Sequence, residues 1–205
     1  MTDLLYIAGS PRGAASKSAA LAEAYIAKAQ VADGSMSVSR IDLWAEDLPA
    51  FDGDFAAAKM TFFGDGAMDA AKQHAWDRVT EITQRFVAAD HYVISVPMWN
   101  GGIPYRLKQY IDIITQPGLL FGFAPDTGYS GLLSGKKATL VVSSGVWQPG
   151  ADARYGQDFH TSYLEWWLGM IGVTDIDVIR FQPSLLTADP QAGFDAARER
   201  ALELA

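Results

Sequence analysis

The chain is predicted to adopt an α/β fold, a five-stranded parallel sheet with helices on both faces. Three observations predict it. Five apolar runs of strand length recur along the chain, segments of helical period separate them, and three of the runs lead directly into stretches rich in Gly, Ser, Pro or Asn.

Residues 4–8 (Leu-Leu-Tyr-Ile-Ala) are apolar without alternation, as expected of a strand covered on both sides. From Ser16 the period changes: Leu21, Ala22, Tyr25, Ile26 and Ala29 fall on one helix face, and Asp33-Gly34 stops the helix. Residues 38–43 form the second strand. Residues 49–66, with little pattern, read as a loop. Ala75, Val79, Ile82, Phe86 and Val87 define a long helix. Residues 92–96 are the third strand, ended by Pro97. Ile103, Leu107, Tyr110, Ile111 and Ile114 mark a helix closed by Pro117-Gly118. Residues 138–142 are the fourth strand, 163–171 a helix and 176–181 the fifth strand. Phe194, Ala197, Ala201 and Leu204 mark a last helix with Pro190 near its start. Strands separated by helices require right-handed crossovers, and ligands in such sheets bind beyond the carboxyl ends of the strands.

Composition excludes several functions. With 205 residues, 49% of them hydrophobic, the chain suits one domain spanning 1–205. A net charge of −8 argues against nucleic acid and anionic membrane partners. The absence of cysteine excludes disulfides and thiolate chemistry. No stretch is long and apolar enough to span a bilayer. The start Met-Thr-Asp lacks the positive charge of a secretory signal, so a cytoplasmic protein is expected. His74 and His91 have no carboxylates at metal-ligand spacing, and no metal is expected.

Three post-strand segments carry the functional signal: 9–18, 97–104 and 143–150. The first, "GSPRGAASKS", is not a nucleotide P-loop, because Ser16 precedes Lys17-Ser18 where a glycine is needed; it is not a dinucleotide fingerprint either. What remains is a helix start bearing Ser16 and Ser18, with Ser10 and Arg12 upstream, which suits an anion. The helix dipole contributes about 0.3–1 kcal/mol, or about 2 when partly buried. Micromolar binding needs roughly 8 kcal/mol, so several hydrogen bonds of about 1.5–3 kcal/mol each must supply the rest. Ser16 acting simply as a helix cap accounts for the same residue. The second segment, "PMWNGGIPYRLKQYID", follows a buried strand with an amide, Asn100, able to meet a heterocycle edge, and with Met98 and Trp99 able to cover a planar ring. Core packing of Trp99 is the alternative.

Taken together, Ser10 with Ser16-x-Ser18, "PMWN", "GKKATLVVSSG" and "LGMIGVTDI" resemble the FMN-dependent NADH-azoreductase/quinone oxidoreductase family over nearly the whole chain. The resemblance implies a flavodoxin-like three-layer sandwich with strand order 2-1-3-4-5. It implies phosphate contacts from Ser10, Ser16, Lys17 and Ser18, and flavin contacts from Pro97, Met98, Trp99, Asn100, Gly101, Ser143, Ser144, Gly145 and Val146. FMN would carry the chemistry, passing two electrons from NADH or NADPH to a quinone or aromatic azo compound, with one pocket used in turn and no protein acid or base required.

The resemblance further implies a homodimer with the site at its interface. Trp167 is the expected aromatic roof from the partner, because adjacent helix residues point about 100° apart and one core face does not easily hide both Trp166 and Trp167. Phe121 and Phe123 are the expected walls of the acceptor pocket. Two departures stand out. The family usually has Tyr-Asn-Phe at 99–101 and Arg-Gly-Gly at 144–146. Gly101 is expected to open space beside the ring, and the second change to alter the pyrimidine edge and pocket mouth. His160 is expected at a surface helix start.

Two other functions compete. A flavodoxin-like electron carrier would need the flavin and no substrate of its own; the aromatic-rich segment after the fourth strand argues against it. A serine hydrolase using Ser10 or Ser143 with His160 lacks both G-x-S-x-G and an orienting carboxylate.

Overall fold

The computed structural model describes residues 2–205. Its main sheet contains strands β1 (Asp3–Ala8), β2 (Ser37–Asp42), β3 (His91–Pro97), β6 (Lys137–Ser143) and β7 (Asp175–Phe181), all parallel, in the order β2-β1-β3-β6-β7. This is the expected order, with the predicted fourth and fifth strands now β6 and β7.

Both faces of β1 are buried, and the alternation of its side chains divides the core in two. Leu4 and Tyr6 join Leu21, Tyr25 and Ile26 of α1 (Lys17–Ala32) and Ala197 and Ala201 of α6 (Pro190–Leu204). Leu5 and Ile7 join the opposite layer with Val79 and Phe86 of α3 (Ala70–Ala88), Leu107 and Ile111 of α4 (Tyr105–Ile114), and Leu164 and Leu168 of α5 (Thr161–Ile171). Period-2 alternation in the strand therefore sets which helix covers which face.

Two elements depart from the sequence reading. The presumed loop contains α2 (Gly53–Thr61), capped by Asp52, whose carboxylate accepts from Asp54 N and Phe55 N. Only Phe55 and Ala58 of this helix are buried, so its apolar face is too short to show as a period. Between α4 and β6 lies a hairpin, β4 (Phe121–Ala124) and β5 (Gly128–Gly131). It docks on the end of α5, where Leu133 N donates to the Ile171 carbonyl at 2.9 Å. A Cβ on Gly131 would lie 2.1 Å from Gly172 N, so only glycine permits this approach.

Candidate flavin site

The three Gly/Ser/Pro/Asn-rich turns leave the carboxyl ends of β1, β3 and β6, which are adjacent in the sheet. Main-chain bonds tie them together: Gly9 N donates to Ser95 O (2.8 Å), and Met98 N donates to Ser143 O (2.7 Å). A residue the sequence reading passed over joins them. Trp44, just beyond β2 on the same sheet edge, donates its Nε1 to Gly9 O (3.1 Å) and packs against Trp99 of the second turn and Tyr105 at the start of α4. Its position directly after the second strand was the available signal.

The first turn buries three hydroxyls, those of Ser10, Ser16 and Ser18. Ser16 is the N-cap of α1, accepting from Ala19 N at 3.3 Å, and its Oγ lies 3.2 Å from that of Ser18. The cap satisfies one of the orphan donors at the helix start and leaves the N–H groups of Lys17 and Ser18 directed out of the helix end. Capping and anion binding are thus compatible here: two free N–H groups and a hydroxyl pair fit a phosphate. The Lys17 ammonium is engaged elsewhere, 4.7 Å from the centre of the Phe194 ring, so its backbone rather than its charge faces the turn.

The second turn is locally determined. Asn100 (φ 51°) and Gly101 (φ 80°) occupy left-handed conformations, and Trp99 and Gly102 exchange backbone hydrogen bonds of 2.8 and 2.9 Å. An Asn-Gly pair suits two consecutive positive φ angles. Asn100 is thereby held out from the sheet edge, while Met98 and Pro97 are half-buried below it. Gly101 does not open space as expected. A Cβ there would meet Gln157 O at 3.1 Å and the Phe159 ring at 3.6 Å, because residues 157–159 fold back over the glycine. Phe159 N donates to Gly101 O at 2.9 Å.

The third turn is shaped by distant chain. The Ser144 hydroxyl donates to Trp147 O, while the carbonyls of Ser144 and Gly145 accept from Ser184 N and Leu185 N, each at 2.8 Å. Ser143 ends β6, Ser144 is buried and Val146 is exposed.

The aromatic residues need redistribution. Trp167 is 1% exposed, donates Nε1 to Thr115 Oγ1 (3.0 Å) and packs on Phe86; Trp166 is 60% exposed. Trp167 is thus the core member of the pair and Trp166 the exposed one, the reverse of the expectation. Residues 164, 167, 168 and 171 share one helix face, and that face meets the sheet. Phe121 is buried against Tyr129 and Phe123 is exposed, both on the β4–β5 hairpin. Phe121, Tyr129, Tyr163, Trp166 and an edge of Trp167 line a depression of about 360 Å³.

His160 lies buried and not at the surface, and among the described residues neither ring nitrogen has a normal hydrogen-bond partner. Burial lowers its pKa to about 4, against the opposing pull of the Asp158 carboxylate and the Val96 carbonyl. Arg106 is committed to the Leu43 and Glu46 carbonyls at 2.9 and 2.6 Å.

Comparison with known proteins bears on the fold and the family. A family profile described as flavodoxin-like fold matches residues 2–205. A protein of Ruegeria pomeroyi named FMN-dependent NADH:quinone oxidoreductase is 66% identical over 197 residues, covering 96% of this chain and 97% of that protein. One of the same name from Desulfotalea psychrophila is 39% identical, covering 100% and 93%. Among solved structures, a Bacillus anthracis azoreductase superposes with a TM-score of 0.89 at 24% identity over 100% of this chain and 98% of its own, which shows the fold. With adjacent turns presenting a capped serine pair and an Asn-Gly corner, and with two-thirds identity over nearly its full length, the chain belongs to the flavodoxin-like family of FMN-dependent NADH:quinone oxidoreductases.

Proposed function

We infer that the chain binds FMN across the three turns and uses it to carry two electrons from NADH to a quinone, with aromatic azo compounds as alternative acceptors. The observation that carries this reading is the convergence of buried Ser10, Ser16 and Ser18 with Trp99-Asn100 and Ser143-Ser144 on one sheet edge. When bound, FMN supplies the redox chemistry, accepting a hydride and returning two electrons.

The residues supply placement. The N–H groups of Lys17 and Ser18, with the serine hydroxyls, hold the phosphate. Met98, Trp99, Asn100 and Gly101 support the ring, and Ser144, Gly145 and Val146 border its far edge. No side chain here is required as an acid or base.

The acceptor side is assigned to aromatic surface. Phe123, Tyr129 and Trp166 are exposed around the depression described above, and Trp99 and Tyr105 lie near the second turn. Exposed aromatics of this density suit an interface between two copies of the chain, with Trp166 in the role first given to Trp167. Donor and acceptor then use one pocket in turn.

Purified protein tests the reading. It is expected to be yellow, to release FMN on heating, to bleach anaerobically with NADH and to recolour with a quinone. A protein that holds flavin but is not bleached by NADH alone would be an electron carrier instead. Initial rates with both substrates varied are expected to give parallel reciprocal lines; intersecting lines would remove the shared pocket. A fully active monomer by light scattering would remove the dimer.

A further inference from the structure

We propose that Phe159 is a specificity-determining residue, forming the aromatic wall against which a planar acceptor rests beside the second turn. The inference deepens the functional reading above and rests on it. Three features of the structure point to this residue. First, its backbone is fixed on both sides. Phe159 N donates to Gly101 O at 2.9 Å, and the preceding Asp158 carboxylate accepts from His160 N (2.9 Å) and Thr161 N (2.7 Å) at the start of α5. Second, its ring is nevertheless 60% exposed, although the same segment runs on into the buried His160 and Thr161. A large apolar side chain held in water on a rigid backbone is poised for a partner. Third, the ring stands where a side chain at position 101 would project, 3.6 Å from the Cβ that Gly101 lacks.

Position 101 has no alternative wall to offer. Its φ of +80° disfavours any side chain, and a Cβ would press on Gln157 O at 3.1 Å. The glycine and the phenylalanine are therefore one device: the glycine admits the strap of residues 157–159, and the strap delivers the ring. A phenyl face there recognises flat, fused-ring acceptors through offset stacking. Small inorganic acceptors that do not stack gain nothing from it.

The test uses the FMN-loaded protein and the variants Phe159→Ala and Phe159→Tyr, with NADH as donor and 1,4-naphthoquinone or ferricyanide as acceptor. The exposed ring can be removed without opening the core. Phe159→Ala is expected to raise KM for the naphthoquinone by roughly threefold to tenfold, the worth of one aromatic pair. Ferricyanide turnover at saturating NADH and bound flavin stay at wild-type values, and Phe159→Tyr restores the naphthoquinone KM. An unchanged naphthoquinone KM in Phe159→Ala overturns the proposal, as does an equal loss with both acceptors or a loss of flavin. Wild-type protein that NADH fails to bleach sinks the functional reading itself, a result separate from any effect of Phe159.

Discussion

The first and third turns sit on the same sheet edge and are built in opposite ways. The first closes on itself: Ser16 caps the helix that follows it and meets Ser18 two residues on. The third is held from far away, its carbonyls taken by Ser184, Leu185 and Leu186, and the same connection then continues to the strap over Gly101. The end of the site assigned to phosphate is thus specified locally, and the end assigned to ring and acceptor by contacts distant in sequence. Acceptor preference can then drift through residues far from the turn while phosphate binding stays constant.

The largest expected effect breaks the local end. Ser16→Ala with Ser18→Ala removes two hydroxyls from the phosphate, about 1.5–3 kcal/mol each, so FMN affinity should fall by two orders of magnitude or more. The loss of the cap itself lowers stability by only about 1 kcal/mol. Flavin titration alongside a urea melt separates the two, and a double variant that retains wild-type FMN affinity would falsify the phosphate assignment.

Acid is the next largest perturbation, and it acts on the distant end. His160 directly follows the strap, faced by Asp158 and Arg180, and burial holds its pKa at about 4. His91, at the opposite end of the sheet beside Lys137, Asp175 and Asp177, is likewise lowered to about 4 by burial. Because the folded values lie below the unfolded value of about 6.5, the unfolded chain takes up more protons between them. Stability from these groups is complete above about pH 6.5 and is lost as pH falls towards 4, on the order of 2–3 kcal/mol for each. Urea midpoints at several pH values are expected to show this slope, and His160→Leu to flatten it. The first turn has no buried titratable side chain of its own, so an acid slope unchanged in His160→Leu would remove the contrast.

The smallest effect sharpens the comparison from the side. Trp44→Phe keeps an aromatic ring on Trp99 but deletes the Nε1 bond to Gly9 O. One such bond is worth about 1 kcal/mol, or roughly fivefold in FMN affinity, with quinone KM unchanged. A rise confined to KM would place Trp44 with the acceptor end instead.

The legible parts of the fold and site follow from the same distinction. Continuous apolar strands, the serine cap at the start of α1 and the Asn-Gly corner are read within a few residues, because their hydrogen bonds close locally. Helix α2 escaped because it buries only two side chains, and Trp44 because its importance lies in a bond to a carbonyl 35 residues away. The choice between Trp166 and Trp167 was present in the spacing of Leu164, Leu168 and Ile171, which includes 167 and excludes 166.

The sequence by itself determined the sheet, most of its helices and the placement of the serine- and amide-bearing turns at one edge, since periodicity and capping act over one or two turns of chain. Only the tertiary structure decided what fills the space at Gly101, which tryptophan is buried and where His160 lies. Those outcomes depend on which distant segment packs there, and packing is a property of the assembled layers.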